Sequence, residues 1–234
     1  MRVTWYGHAC FRLDGDGISV VTDPYTPENA GLRAISEPAD VVVMSSALDE
    51  AHSCADAVPG RPRVLNALDA VGRPTEIADG VVVEAFAASE GEDRPDDPKA
   101  NALYRFELGG VAVCHMGDIG TPLAKQHVES LRGRVDVLLA LAGGGLTIAL
   151  PDLDEAIEGI RPRVVIPMHF QIPSLLYVVG PLEDFLARRT GDRIVEHDGS
   201  TVEIGPAELT GSNGPTIHVL RPAADARAHE RSSA

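Results

Sequence analysis

Short apolar runs set off by turn residues fill the first half of the chain. Val3–Tyr6, Cys10–Leu13 and Ile18–Thr22 read as strands, with Asp14-Gly15-Asp16-Gly17 turning the second into the third. Val41-Val42-Val43, inside Ala39–Met44, is a continuous apolar run, the pattern of a strand covered on both faces. Arg63–Asn66, Val81–Phe86, Leu103–Leu108 and Val111–His115 continue the series, and Gly109-Gly110 joins the last pair as a hairpin. In the second half helices enter. Val135–Leu141 and Arg163–Met168 are buried strands, each preceded by a helix-like segment, Pro122–Leu131 and Leu153–Ile160. Pro181–Arg189 is a further helix with proline in its first turn. Hairpins mixed with strand–helix–strand units predict an α/β sandwich of two mixed sheets with helices outside.

At 234 residues the chain suits one large domain, placed at 1–210. Ser89–Lys99 is acidic and proline-rich and reads as an exposed loop. Residues 211–234 form a tail whose end, from about Ala223, lacks apolar periodicity and is expected to be disordered. Aromatic residues are only 4% of the chain, so the core must be built from Val, Leu, Ile and Ala.

The formal net charge of -15 repels phosphate backbones and anionic headgroups, which argues against nucleic-acid and membrane-surface partners. No apolar run is long enough to span a bilayer, and Met1-Arg2-Val3-Thr4-Trp5 enters a strand without a signal-peptide core, so the expected location is cytoplasmic. Cys10, Cys54 and Cys114 lack CxxC spacing and read as reduced packing thiols.

Five stretches carry candidate chemistry, each at the end of a predicted strand: Thr4-Trp5-Tyr6-Gly7-His8-Ala9-Cys10-Phe11; Asp23-Pro24; Cys114-His115-Met116-Gly117-Asp118-Ile119-Gly120; Asp136-Val137-Leu138-Leu139 with Gly143-Gly144-Gly145 and Thr147-Ile148; and Pro167-Met168-His169-Phe170. In this order, over Val3–Ile204, they resemble the metallo-β-lactamase superfamily, most nearly the branch of L-ascorbate-6-phosphate lactonase. The resemblance implies a four-layer αββα sandwich with two metal ions at the sheet edge, usually zinc. The ligands would come from a His-x-His-x-Asp-His loop, a mid-chain His, a bridging Asp and a last His. Such a centre hydrolyses small esters, lactones or phosphodiesters.

This chain departs from that ligand set. Where the signature loop should stand it reads Ser45-Ser46-Ala47-Leu48-Asp49-Glu50-Ala51-His52, so Ser46 and Leu48 replace the first two His, Glu50 the Asp and Ala51 the last His. After Val81–Phe86 it reads Ala87-Ala88-Ser89-Glu90, with no His. One of the family's metal sites is therefore dismantled. For the other, Asp118 and His169 survive, and Glu50 and His52 (one position late) are weaker candidates. One divalent ion, zinc, manganese or iron, or no ion at all, are both open. Against a ligand role, Glu50 and His52 also read as exposed residues at a helix start, where a one-residue offset swings a side chain by roughly 100°.

His8, Asp23 and His115 are cleft candidates. His8 suits a contact to substrate or carboxylate, or a purely structural His; Asp23 either orients a ligand or caps a turn; His115 either supports the site or is a core His with a backbone partner. Ser45 and Ser46 lack a nucleophile elbow, and Gly143-Gly144-Gly145 lacks a phosphate-loop Lys. The expected function is a non-hydrolytic or altered family member that binds a small-molecule ligand. The alternative is a single-metal hydrolase of an ester, lactone or phosphodiester. Homo-oligomerisation through the apolar segment Pro173–Val179 is a third expectation.

Overall fold

A computed structural model describes residues 1–47, 51–91, 99–210 and 214–223. Among the described residues, fourteen strands build two sheets. In chain order they are β1 (Arg2–Gly7), β2 (Cys10–Gly15), β3 (Ile18–Thr22), β4 (Val41–Met44), β5 (Arg63–Asn66), β6 (Thr75–Ala78) and β7 (Val81–Ser89), then β8 (Ala100–Leu108), β9 (Val111–His115), β10 (Val137–Leu141), β11 (Val164–Met168), β12 (Arg193–Glu196), β13 (Thr201–Glu203) and β14 (Thr216–Val219). One sheet runs β13-β1-β2-β3-β4-β5, the other β12-β14-β11-β10-β9-β8-β7-β6. Both are mixed. β1, β2 and β3 pair antiparallel, and β3, β4 and β5 parallel. β9, β10, β11 and β14 run parallel beside the antiparallel β7–β8–β9 meander.

The inner faces of the sheets share one core. Val3, Trp5, Phe11, Leu13, Val20 and Val41 come from one sheet, and Tyr104, Phe106, Val113, Leu139 and Ile166 from the other. β4, β9, β10 and β11 are buried along their whole length, as strands covered on both faces must be. The helices are α1 (Pro27–Ala30), α2 (Lys125–Leu131), α3 (Leu150–Ile160) and α4 (Leu182–Arg188). α3 buries Leu153, Ala156, Ile157 and Ile160, the spacing of one helical face.

Two sequence expectations are corrected here. β14 lies beyond the boundary drawn at residue 210, yet it is hydrogen-bonded between β11 and β12. Its four residues, Thr216-Ile217-His218-Val219, are too short a run to show a period, so the segment read as tail. The expected exposed loop at Ser89–Lys99 loses its first residue to β7, while 92–98 and the tail end at 224–234 lie outside the described residues. β6, β12 and β13 were likewise not legible. They are short, and their fit comes from the neighbouring strand rather than from alternation of their own.

A candidate metal centre at the strand ends

Five side chains discussed above sit just past strand C-termini: His8 after β1, Asp23 after β3, Ser45 after β4, Asp118 after β9 and His169 after β11. β1, β3 and β4 run in one direction in their sheet, as do β9 and β11 in theirs, so these ends gather at one edge. The two sheets are stitched there: His169 N–H donates to the His8 carbonyl at 3.0 Å, and the Trp5 indole N–H donates to the same oxygen at 3.0 Å. Among the described residues, five non-glycine positions have positive φ, and His8 (52°), Asp23 (41°) and His169 (56°) are three of them. Left-handed backbone at a non-glycine residue costs about 1 kcal/mol or more and persists where the surroundings dictate it, typically at functional sites.

His8, His52 and His169 are buried, and each offers one nitrogen such that all three lie within 4.8 Å of one another. Their ring centroids lie 4.0 Å apart for the tilted His8–His169 pair, and 4.7 Å and 5.5 Å for the stacked His8–His52 and His52–His169 pairs. Asp118 closes the group: Oδ1 is 3.4 Å from His169 Nε2 and Oδ2 is 3.7 Å from His52 Nε2. Those separations exceed hydrogen-bond length, and they approach the roughly 3.3 Å between neighbouring ligands of a tetrahedral ion with bonds near 2.0–2.1 Å. Neither ring nitrogen of His8 has a hydrogen-bond partner among the described residues. A buried imidazole left so is costly unless something else takes the lone pair. Burial, then the nearby His169 and His52, push its pKa well below the usual value, which keeps it neutral and able to ligate. Three imidazoles and one carboxylate are a donor set of the type that suits a zinc-like ion.

Behind these groups lies a hydrogen-bonded layer. Asp23, fully buried, accepts from Ser45 N–H (2.8 Å), Ser45 Oγ–H (2.6 Å) and the Tyr104 hydroxyl (3.2 Å). It thereby fixes the chain that leaves β4 towards His52. Burial raises the Asp23 pKa, opposed by His115, His52 and the Ser45 bonds. Buried Asn101 donates to Glu90 at 3.0 Å and accepts from the Asp118 N–H at 3.1 Å. His115 accepts the Gly117 N–H at Nδ1 (2.9 Å), so Nε2 carries the proton it donates to the Ala9 carbonyl (2.8 Å). The Asp118 turn is thus held from two sides. Gly117 has φ 62°, and a Cβ there would overlap Asn101 Oδ1 and come within 2.7 Å of the Ala102 carbonyl. Gly117→Ala is therefore expected to displace Asp118. Its checkable result is weaker metal retention together with a Tm lower by several degrees.

The structure sorts the sequence candidates as follows. His52, Asp118 and His169 come together, and His8 lies among them, its ring centroid 4.0 Å from that of His169 and 4.7 Å from that of His52. His52 lies in a turn, not on a helix, so the helical offset that counted against it does not apply. Asp23 and His115 stand behind the cluster as supports, their 3.9 Å approach buried from solvent. Glu50 lies outside the described residues, as does Leu48. Sequence reading missed Asn101 and Tyr104, because polar side chains inside a strand carry no motif. Cys10 and Cys114 are buried thiols with pKa values raised by burial, that of Cys114 to about 12, and among the described residues all three cysteines are free.

Buried histidines also give the fold a pH dependence. Burial lowers the pKa of His8, His115 and His218. Below pH about 6.5 the unfolded chain takes up protons that the folded chain refuses. Stability is therefore full above that pH and falls as the pH drops through it. A Tm series on metal-free protein should decline steadily from pH 7 to 5. A flat profile would contradict the neutral state assigned to these rings.

Two mixed sheets packed face to face with helices outside are the architecture of a metallo-β-lactamase-type protein. The family model for the β-lactamase superfamily domain matches residues 2–169, and the chain belongs to that superfamily. A metal-dependent hydrolase from Methanoculleus marisnigri is 28% identical over 225 residues, covering 88% of this chain and 98% of the relative. A Pyrococcus abyssi protein is 27% identical over 187 residues, covering 73% of this chain and 83% of the relative. The crystal structure of a Thermotoga maritima superfamily member is 29% identical with a TM-score of 0.71, covering 94% of this chain and 99% of that one. The αββα architecture expected from sequence is the observed one.

Proposed function

We propose that this chain is a hydrolase dependent on a single divalent metal, held by His8, His52, Asp118 and His169. The observation that carries the reading is the closed group of three buried imidazoles facing one carboxylate. It replaces the expectation of a non-hydrolytic member, which rested on counting lost signature residues. Relatives named as metal-dependent hydrolases support it. When bound, the ion supplies Lewis acidity and a water acidic enough to attack near neutral pH. The chain's own residues hold that centre in place. The neutral imidazoles leave the ion most of its charge, and Asp118 offsets one unit of it. The Asp23–Ser45 and Asn101–Asp118 bonds keep the ligand loops from relaxing. The Tyr177 ring packs against this group, its centroid 5.0 Å from that of His8.

The substrate would be a small molecule carrying a hydrolysable ester or lactone, as the likeness to the lactonase branch suggests, and zinc, manganese and iron all suit the donor set. The test is a panel of esters, lactones and phosphodiesters offered to protein loaded with each metal in turn. Turnover that follows metal loading and disappears with a chelator is expected. Turnover indifferent to metal, or absent for every substrate and metal, would contradict the proposal.

A further inference from the structure

A cavity of about 580 Å³ lies at the edge opposite the histidine cluster, in the sheet that holds β10 and β11. β10, β11, β12 and β14 run parallel, so the loops that enter them gather at that edge, while His169 follows the other end of β11. Val135, Ile157 and Pro215, all buried, give the cavity an apolar wall. Arg161, Arg163 and Arg189 line it as well. Arg161 ends α3 in the left-handed conformation, at φ 60°, a place that glycine usually takes because it alone is unstrained there. The carbonyl end of a helix favours a cation, but a basic residue in the last turn would supply that without strain. α3 has none in its last turn. Its cation comes one position later, on strained backbone, where it lines the cavity.

The charge balance of this cavity differs from that of the chain. Acidic side chains outnumber lysine and arginine 35 to 20 overall, whereas here three arginines meet three carboxylates, Asp136, Glu158 and Asp192. Two of those carboxylates are engaged. Asp192 accepts from Arg189 Nε–H at 2.6 Å, and Asp154 accepts from the same guanidinium at 3.3 Å, so buried Arg189 is a fixed wall. Gly214, at φ 121°, passes so close that a Cβ there would stand 2.7 Å from Asp192 Oδ1. Asp136 accepts the Ala112 N–H at 2.9 Å and lies 3.9 Å from Arg163 Nε, beyond hydrogen-bond length. Arg161 and Arg163 flank buried Pro162 and are themselves exposed, with donors to offer a ligand.

We propose that this cavity is a second small-molecule site, which takes an organic anion with its phosphate or carboxylate head on Arg161 and Arg163 and its apolar body against Val135, Ile157 and Pro215. The planar guanidinium fork matches both head groups, and the volume is that of an ordinary small-ligand pocket. The site is separate from the histidine cluster and stands whether or not the chain is a hydrolase.

The test is calorimetry on the full chain with 1-naphthyl phosphate, 1-naphthoate and uncharged 1-naphthamide, repeated on Arg161→Gly, Arg163→Gln and His169→Ala. At least one of the two anions should bind about ten-fold or more tighter than the amide, and the tighter of them names the head group. Arg161→Gly and Arg163→Gln should each weaken that anion by about ten-fold, while His169→Ala leaves it unchanged. Arg161→Gly also relieves the left-handed backbone, so its Tm should equal or exceed the native value even as its binding weakens. Equal binding of anions and amide, no binding of any probe, or anion binding that survives both arginine variants would overturn the proposal. Binding lost in His169→Ala and kept in the arginine variants would put the anion at the histidine cluster, which also overturns it.

Discussion

His8→Ala leaves a folded protein whose zinc affinity is lower by about a hundred-fold or more. Removing a group that merely supports a ligand costs 10–100-fold, and removing a ligand costs at least as much. The residue is diagnostic because it lies outside the stretch that corresponds to the superfamily's signature loop, in Gly7-His8-Ala9, and the account gives it a donor role on geometry alone. Its ring is buried, neutral, without a hydrogen-bond partner among the described residues, and within stacking distance of both His52 and His169. Competition against a chromophoric chelator reads the affinity directly. The Asp118→Ala and His169→Ala variants should behave alike. An unchanged affinity in His8→Ala would reduce His8 to a wall of the site.

Asp23→Ala is the second large effect, and it acts on the fold before it acts on the metal. The carboxylate sits in a buried position and takes three hydrogen bonds, so its loss strands the Ser45 N–H and the Ser45 hydroxyl away from water and leaves the Tyr104 hydroxyl only a long bond, 3.5 Å, to the Val43 carbonyl. Each stranded group costs about 1–3 kcal/mol, and an overall loss of about 3 kcal/mol corresponds to a Tm about 6–12 °C lower in a chain of this size. Asp23→Asn keeps the shape but must turn an NH2 towards one of those donors, so it should recover only part of the loss. Thermal unfolding of the two variants beside the native protein checks the order. Equal Tm values for all three would mean that Asp23 is dispensable to the frame.

The fold was legible because its central strands announce themselves. Val41-Val42-Val43 and Val137–Leu141 are buried on both faces, and burial of that kind demands continuous apolar sequence. Thr216–Val219 was not legible, since a four-residue strand owes its place to β11 and β12 on either side. The site was legible in part. Asp118 and His169 kept their motif surroundings, and His52 remained in view although an assumed helix argued against it. What sequence alone could not supply was the convergence of His8 with residues 44, 110 and 161 positions away. A motif records neighbours along the chain, and this donor set is made by two sheets meeting at their ends. Substituted signature residues argued for lost chemistry, while the folded chain gathers His8, His52 and His169 at the same edge.

The most direct test of the account is the number of metal ions per chain. Protein purified without chelator, saturated with zinc and freed of loosely held ions, should carry one ion per chain by mass spectrometry, and should carry none after His8→Ala or Asp118→Ala. Two ions per chain would point to a second set of ligands and restore a dinuclear centre. No retained ion with zinc, manganese or iron would contradict the single-metal site on which the proposed activity depends.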